Sequence, residues 1–259
     1  MWKHIIFSIF FIMLINQSSS IESAIVSHKH FSFVKTIDGI YEYQHKKNGL
    51  TVLLLEDHSS PVATVMVTYL VGSRHEKPGY TGATHLLEHL MFKGSKNFNP
   101  KKGTDIWSVL QSVGAQINAT TWLDRTNYFE TIPSNHLDTA LYIEADRMRN
   151  ALIRPEDHQS EMTVVRNEFE RGQNSPYNVL DEQIWATAFQ AHPYHHPTIG
   201  WKSDIENIKT SRLKAFYDEF YWPNNATITV IGDIDPKNAL DLIHKRFGSI
   251  KKSPKPIPK

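Results

Sequence analysis

The sequence predicts an α+β fold, and three observations carry that expectation. Two runs rich in Val, Leu and Thr, 50–56 and 64–70, are separated only by the breaker Asp57, His58, Ser59, Ser60 and Pro61, as antiparallel strands are. Two more runs, 115–121 and 127–132, alternate like paired strands, while most of the remaining periodic segments have helical spacing. At 259 residues, with 40% hydrophobic and 21% charged residues, the chain can bury one substantial core, so strands and helices belong to one large domain.

The elements follow in order. After the first two strands, Thr84 is placed to cap a helix over 85–92, which Lys93, Gly94 and Ser95 stop. A helix over 105–113 ends at Gly114, and the paired strands 115–121 and 127–132 come next. Helices are expected at 135–150 and from Pro155 to about Arg171, with the proline in the first turn where its missing N–H costs nothing. Further helices are expected at 179–189, 211–220 and 236–247, with a late strand at 226–231. The tail, 251–259, has three prolines and no periodicity and reads as a linker.

Composition narrows the chemistry. Lys and Arg number 28 against 27 acids, so the net charge of +1 gives no reason to expect nucleic acid or an anionic membrane as partner, and any basic patch is local. The absence of cysteine removes disulfides, thiolate metal sites and a cysteine nucleophile, so a metal must rest on His and carboxylate. The amino terminus has the layout of a secretory signal peptide: Lys3, an apolar run over 5–15 broken only by Ser8, then polar residues to Ser20. That run is about 11 residues long, against the roughly 20 of a membrane-spanning helix. The expectation is a signal peptide over 1–20, one folded domain over 36–250, and a mature protein free of the membrane in the periplasm or outside the cell.

The sequence His85, Leu86, Leu87, Glu88, His89 is HxxEH. Residues four apart on a helix lie on one face about 6 Å apart, so the two imidazoles can converge on one metal ion. Zinc accepts neutral nitrogen ligands and lowers the pKa of a bound water towards about 7, which calls for a base nearby. Glu88 is near that face but offset, so it suits proton transfer better than ligation. A catalytic zinc needs a third protein ligand. In the helix starting at Pro155, Glu161, Val165 and Glu168 share a face beside Met162 and Phe169, and spacing does not choose between the two acids. His192, His195 and His196 lie in a loop rich in His and Pro, and no GxSxG or phosphate-binding glycine loop occurs.

Three segments in order, HLLEHLMFKGS, GAQINATTWLDRTNYFETIP and SEMTVVRNEFERGQNSP, resemble the insulinase and pitrilysin family of inverzincins, which includes mitochondrial processing peptidase. The resemblance runs from about residue 40 to 250. It implies a mainly antiparallel sheet with helices packed on one face, similar to one processing-peptidase domain. It implies Zn2+ held by His85, His89 and Glu168, Glu88 as general base, and Glu161 in a supporting catalytic role. It also implies an extended peptide added as a strand beside the metal, with Asn118 and Ala119 in the substrate-binding strand. Asp124, Thr126 and Tyr128 fit the same pattern, as they would fit strand packing. Family members pair such a domain with a second one that closes over the peptide, so a second subunit or a homodimer is the expected partner. The expected activity is endopeptidase action on extended peptides or unfolded segments; the rival is an inert scaffold or peptide-binding subunit, or a truncated remnant. Relatives of that kind typically lose the HxxEH residues, and this chain has all of them.

Overall fold

Strands in which every second residue is apolar build a sheet with one face committed to the core. The computed structural model describes residues 25–259, and the expected signal peptide, 1–20, lies outside the described residues. Seven strands form one sheet: β1 (Phe31–Ile37), β2 (Ile40–His45), β3 (Thr51–Glu56), β4 (Val62–Tyr69), β5 (Gln116–Thr121), β6 (Thr126–Pro133) and β7 (Ala226–Gly232). Their order is β1-β2-β3-β7-β4-β6-β5, and every neighbouring pair is antiparallel except β3 and β7. Val52, Leu54, Val65, Val67, Ile228 and Val230 are fully buried on the inner face. Thr64, Met66, Thr68, Phe129 and Thr229 stand half-buried on the other.

Two differences from the expectation concern strands. The runs over 50–56 and 64–70 are strands, but they do not pair with each other, because β7 runs between β3 and β4. The ends of the breaker loop clasp β7: Asp57 N donates to Gly232 O at 2.9 Å, and Asp233 N donates to Val62 O at 2.9 Å. A strand buried along its length needs partners on both edges for its backbone groups, and the late strand supplies them to both early ones. The second difference is the β1–β2 hairpin, which turns at Asp38 and Gly39, both at positive φ (49° and 81°).

Eight helices complete the described chain: α1 (Ala83–Leu90), α2 (Ile106–Ser112), α3 (Leu137–Asn150), α4 (Pro155–Gln173), α5 (Pro176–Ala188), α6 (Lys202–Asn207), α7 (Thr210–Phe220) and α8 (Pro236–Phe247). Pro155, Pro176 and Pro236 open α4, α5 and α8 in the first turn, and Ser175 and Asp235 cap α5 and α8 through their side chains. The expected cap Thr84 lies inside α1 instead; the N-cap is Gly82, at φ 87°, which has no side chain to offer. α3 packs over β4 and β6 and against α8, while α1 packs against α4, α7 and β5. Among the described residues, no helix is long and apolar enough to cross a membrane. The tail has no regular structure, but it is fastened: Asn48 Nδ2 donates to Ile250 O, just before it, at 3.0 Å, and within it Ser253 N donates to Asn224 Oδ1 at 2.7 Å.

Candidate metal centre

Leu86, Leu87 and Leu90 fix α1 by burying one of its faces, and that packing turns His85, Glu88 and His89 towards α4 and β5. From α4, Glu168 meets both rings: its Oε2 is 3.6 Å from His85 Nε2 and 3.6 Å from His89 Nε2. One ligand atom from each of the three residues lies within 4.8 Å of the others, the one such convergence of His, Cys, Asp or Glu among the described residues. Two ligand atoms at about 2.0–2.1 Å from one ion, at a tetrahedral angle, stand roughly 3.4 Å apart. The three side chains therefore fit a four-coordinate ion with one open position.

Protonation also fits. Glu161 Oε2 bonds His89 Nδ1 at 3.0 Å, which puts the ring proton on Nδ1 and leaves the Nε2 lone pair towards Glu168. Burial works against the charge of Glu161, but its bonds from Lys93 Nζ, at 2.5 Å, and from His89 hold it below the usual carboxylate range. Burial pushes His85 down to about 4, so its imidazole is neutral at physiological pH. Burial pushes the Glu88 carboxyl up, and the Thr121 hydroxyl, which donates to Oε2, partly offsets this. Raised basicity suits a group that must take a proton and return it.

A cavity of 650 Å³ opens beside these groups, lined by His85, Glu88, His89, Asn118, Glu161 and Glu168, with the stacked rings of Phe92 and Trp107 as an apolar wall. Among the described residues β5 forms the end of the sheet here, paired with β6 alone. Asn118 reaches the cavity, while Ala119 turns into the core; Asn118 Oδ1 accepts from Ala119 N at 2.8 Å. Asp124 lies outside the cavity, held by Arg74 Nε at 2.5 Å and Tyr194 OH at 2.7 Å. Thr126 and Tyr128 are buried strand residues. His192 and His195 are on the surface side of their loop, whereas His196 is buried beside Glu76, its Nδ1 3.7 Å from Oε2.

Spacing left Glu161 and Glu168 equivalent; the fold separates them, one behind His89 and one facing both histidines. Thr121, Lys93 and Glu76 were missed. Thr121 is one of several strand threonines and Lys93 a helix stop, and nothing in their spacing ties either to the acid it meets.

Residues 51–202 match the family described as Insulinase (Peptidase family M16), and residues 207–259 match the Peptidase M16 inactive domain. Zinc protease PqqE of Helicobacter pylori is 35% identical over 207 residues, covering 79% of this chain and 46% of that protein. A probable mitochondrial-processing peptidase subunit beta of Schizosaccharomyces pombe is 31% identical over 207 residues, covering 80% and 45%. Among solved structures, a protease from Helicobacter pylori superposes with a TM-score of 0.79 at 33% identity, over 84% of this chain and 52% of that one. The periplasmic protease PqqL from Escherichia coli gives 0.78 at 22% identity, over 88% and 26%, a likeness of fold. The chain spans about half the length of the curated relatives it matches. With more than half of its residues matched to that family and the HxxEH helix inside the match, the chain belongs to the insulinase family of peptidases, M16.

Proposed function

We propose that this chain carries the zinc-binding half of a metalloendopeptidase that cuts extended peptides or unfolded segments outside the cytoplasm. The observation that carries the proposal is the convergence of His85, His89 and Glu168 on one point, with Glu88 beside it in an open cavity. A donor set of two neutral nitrogens and one carboxylate suits zinc, and zinc there supplies carbonyl polarisation and acidification of a water. His85 and His89 hold the ion from α1 and Glu168 from α4. Glu88 takes the proton and delivers it to the leaving amine, its position kept by Thr121 on β5. Glu161 keeps His89 in the tautomer that presents Nε2.

The edge of β5 left open among the described residues favours a substrate bound as an added strand, with Asn118, in the middle of that strand, lining the cavity. Main-chain bonding of that kind takes many sequences, provided the peptide is extended. The cavity lies open on the described chain, which supports a second domain or subunit as the group that closes over the substrate. The periplasmic setting rests on the expected signal peptide and on the neighbour named a periplasmic protease.

The test is cleavage of a quenched fluorescent peptide library, with metal content measured on the same preparation. One zinc per chain, with chelator-sensitive cleavage that vanishes in Glu88→Gln, is the expected result. Peptide binding with neither zinc nor cleavage would replace this proposal with the scaffold reading.

A further inference from the structure

The helix that carries three of the site residues is two turns long and begins at a residue that cannot cap it. Gly82 supplies no side chain, and no room exists for one: a Cβ there would lie 2.4 Å from Ile199 O. The leading N–H groups of an α-helix have no partner within the helix, and an end left that way frays. At the start of α1, one side chain from outside the helix satisfies two of them. Glu76 Oε2 accepts from Gly82 N at 2.8 Å and Oε1 accepts from Thr84 N at 2.6 Å. The Glu76 side chain is fully buried. Asp204 fastens the approach to the same end, its Oδ2 accepting from Gly79 N at 3.0 Å, Thr81 N at 3.1 Å and Thr81 Oγ1 at 2.8 Å.

What hangs on this end is His85, the residue after Thr84. The two histidines are held differently. His89 has a hydrogen-bonded support behind its ring, from Glu161. His85 has none among the described residues: its Nδ1 is buried without a hydrogen-bond partner there. The direction of the His85 ring is thus set by packing and by the backbone that carries it, and that backbone is anchored one residue earlier by Glu76.

We propose that Glu76 is a positioning residue of the metal centre, which holds the first turn of α1 so that His85 meets His89 and Glu168 at a distance one ion can span. The inference rests on the zinc reading above and concerns how the first ligand is held. Glu76 touches neither ion nor peptide. Its work is done through the N–H groups of Gly82 and Thr84.

The experiment is zinc affinity by competition with a chelating dye, on the full chain, for wild type, Glu76→Ala and Glu76→Gln. Each is measured where circular dichroism shows the native fold, and the Co2+-loaded forms are compared by visible absorption, which reports ligand geometry. Loss of support behind a metal ligand typically weakens binding about 10- to 100-fold, and that is the expected effect of Glu76→Ala, with altered Co2+ bands. Glu76→Gln keeps one acceptor oxygen and falls between the two; it also carries the test alone if Glu76→Ala does not fold. Leu240→Ala, in α8 and remote from α1, serves as the stability control and keeps wild-type affinity and wild-type bands. Wild-type affinity in folded Glu76 variants overturns the inference, and so does an equal loss in Leu240→Ala, which would reduce Glu76 to general stability. Failure of the wild type to bind zinc is seen before any variant is compared; it defeats the zinc reading itself and takes this inference with it.

Discussion

At the scale of single residues, burial keeps two histidines in distant parts of the fold neutral, His85 in the cavity and His45 on β2, towards the other edge of the sheet. Far from the metal centre, Asn48 N donates to His45 Nδ1 at 3.4 Å, so the neutral ring carries its proton on Nε2 and offers it to His244 Nδ1 at 3.0 Å. His30 stacks on His244 with ring centroids 3.5 Å apart, and Lys29, Lys46 and Lys47 surround the group, while Asp241 is taken up by His28 and Lys237. Burial, then repulsion from His244 and His30, pushes His45 down to about 4. A histidine whose folded pKa lies below its unfolded value of about 6.5 stabilises the fold fully above that pH, and the contribution is lost as pH falls towards about 4. The expected loss is about 1–2 kcal/mol between roughly pH 7.5 and pH 5, measured as urea-unfolding free energy. His45→Asn flattens that slope; parallel profiles for variant and wild type would show that His45 does not carry it. The HxxEH residues were legible because two ligands and a base on one helix face fix residue type and spacing together, whereas spacing left Glu168 level with Glu161 and only the resemblance picked it out. Glu76, Thr121 and Lys93 were not legible, because hydrogen-bonded supports are set by the fold and leave no spacing to read.

At the scale of elements, the sheet was legible in its strands and illegible in its order. Alternation marks a strand without naming its neighbour, and β7, some 160 residues after β4 in the chain, enters between β3 and β4. The β1–β2 hairpin went unread although Asp-Gly is a strong signal for a two-residue turn, because β1 is exposed along nearly all its length and lacks the apolar face that a strand reading looks for. The insertion of β7 depends on one residue. Gly232 has φ +127°, and a Cβ there would sit 2.2 Å from Val62 O, where the end of β7 crosses the start of β4. Gly232→Ala is therefore expected to destabilise the protein by about 2 kcal/mol or more, through both backbone strain and overlap. Thermal unfolding checks this, and an unchanged melting temperature would mean that the crossing can open without cost.

At the scale of the whole molecule, the metal centre is an addition to a core complete without it. The inner sheet face and the apolar faces of α1, α3, α7 and α8 form one buried cluster, and the proposed ligands His85, His89 and Glu168 lie outside it, at the cavity between α1, α4 and β5. Small domains that depend on a structural zinc unfold when it is removed. This chain has the opposite arrangement, so chelation is expected to leave its far-ultraviolet circular dichroism unchanged. Zinc held as proposed would bind the folded state in preference to the unfolded one, because only folding brings Glu168 from α4 to the histidines of α1. Free zinc at 100 times its dissociation constant is then worth about 2.7 kcal/mol, seen as a higher melting temperature that EDTA reverses. His85→Ala, which removes a ligand at the cavity wall, abolishes that increment and leaves the apo melting temperature near the wild-type value. Unfolding by EDTA alone would mean that the metal is part of the core, and a melting temperature indifferent to zinc in the wild type would mean that these three side chains do not hold it.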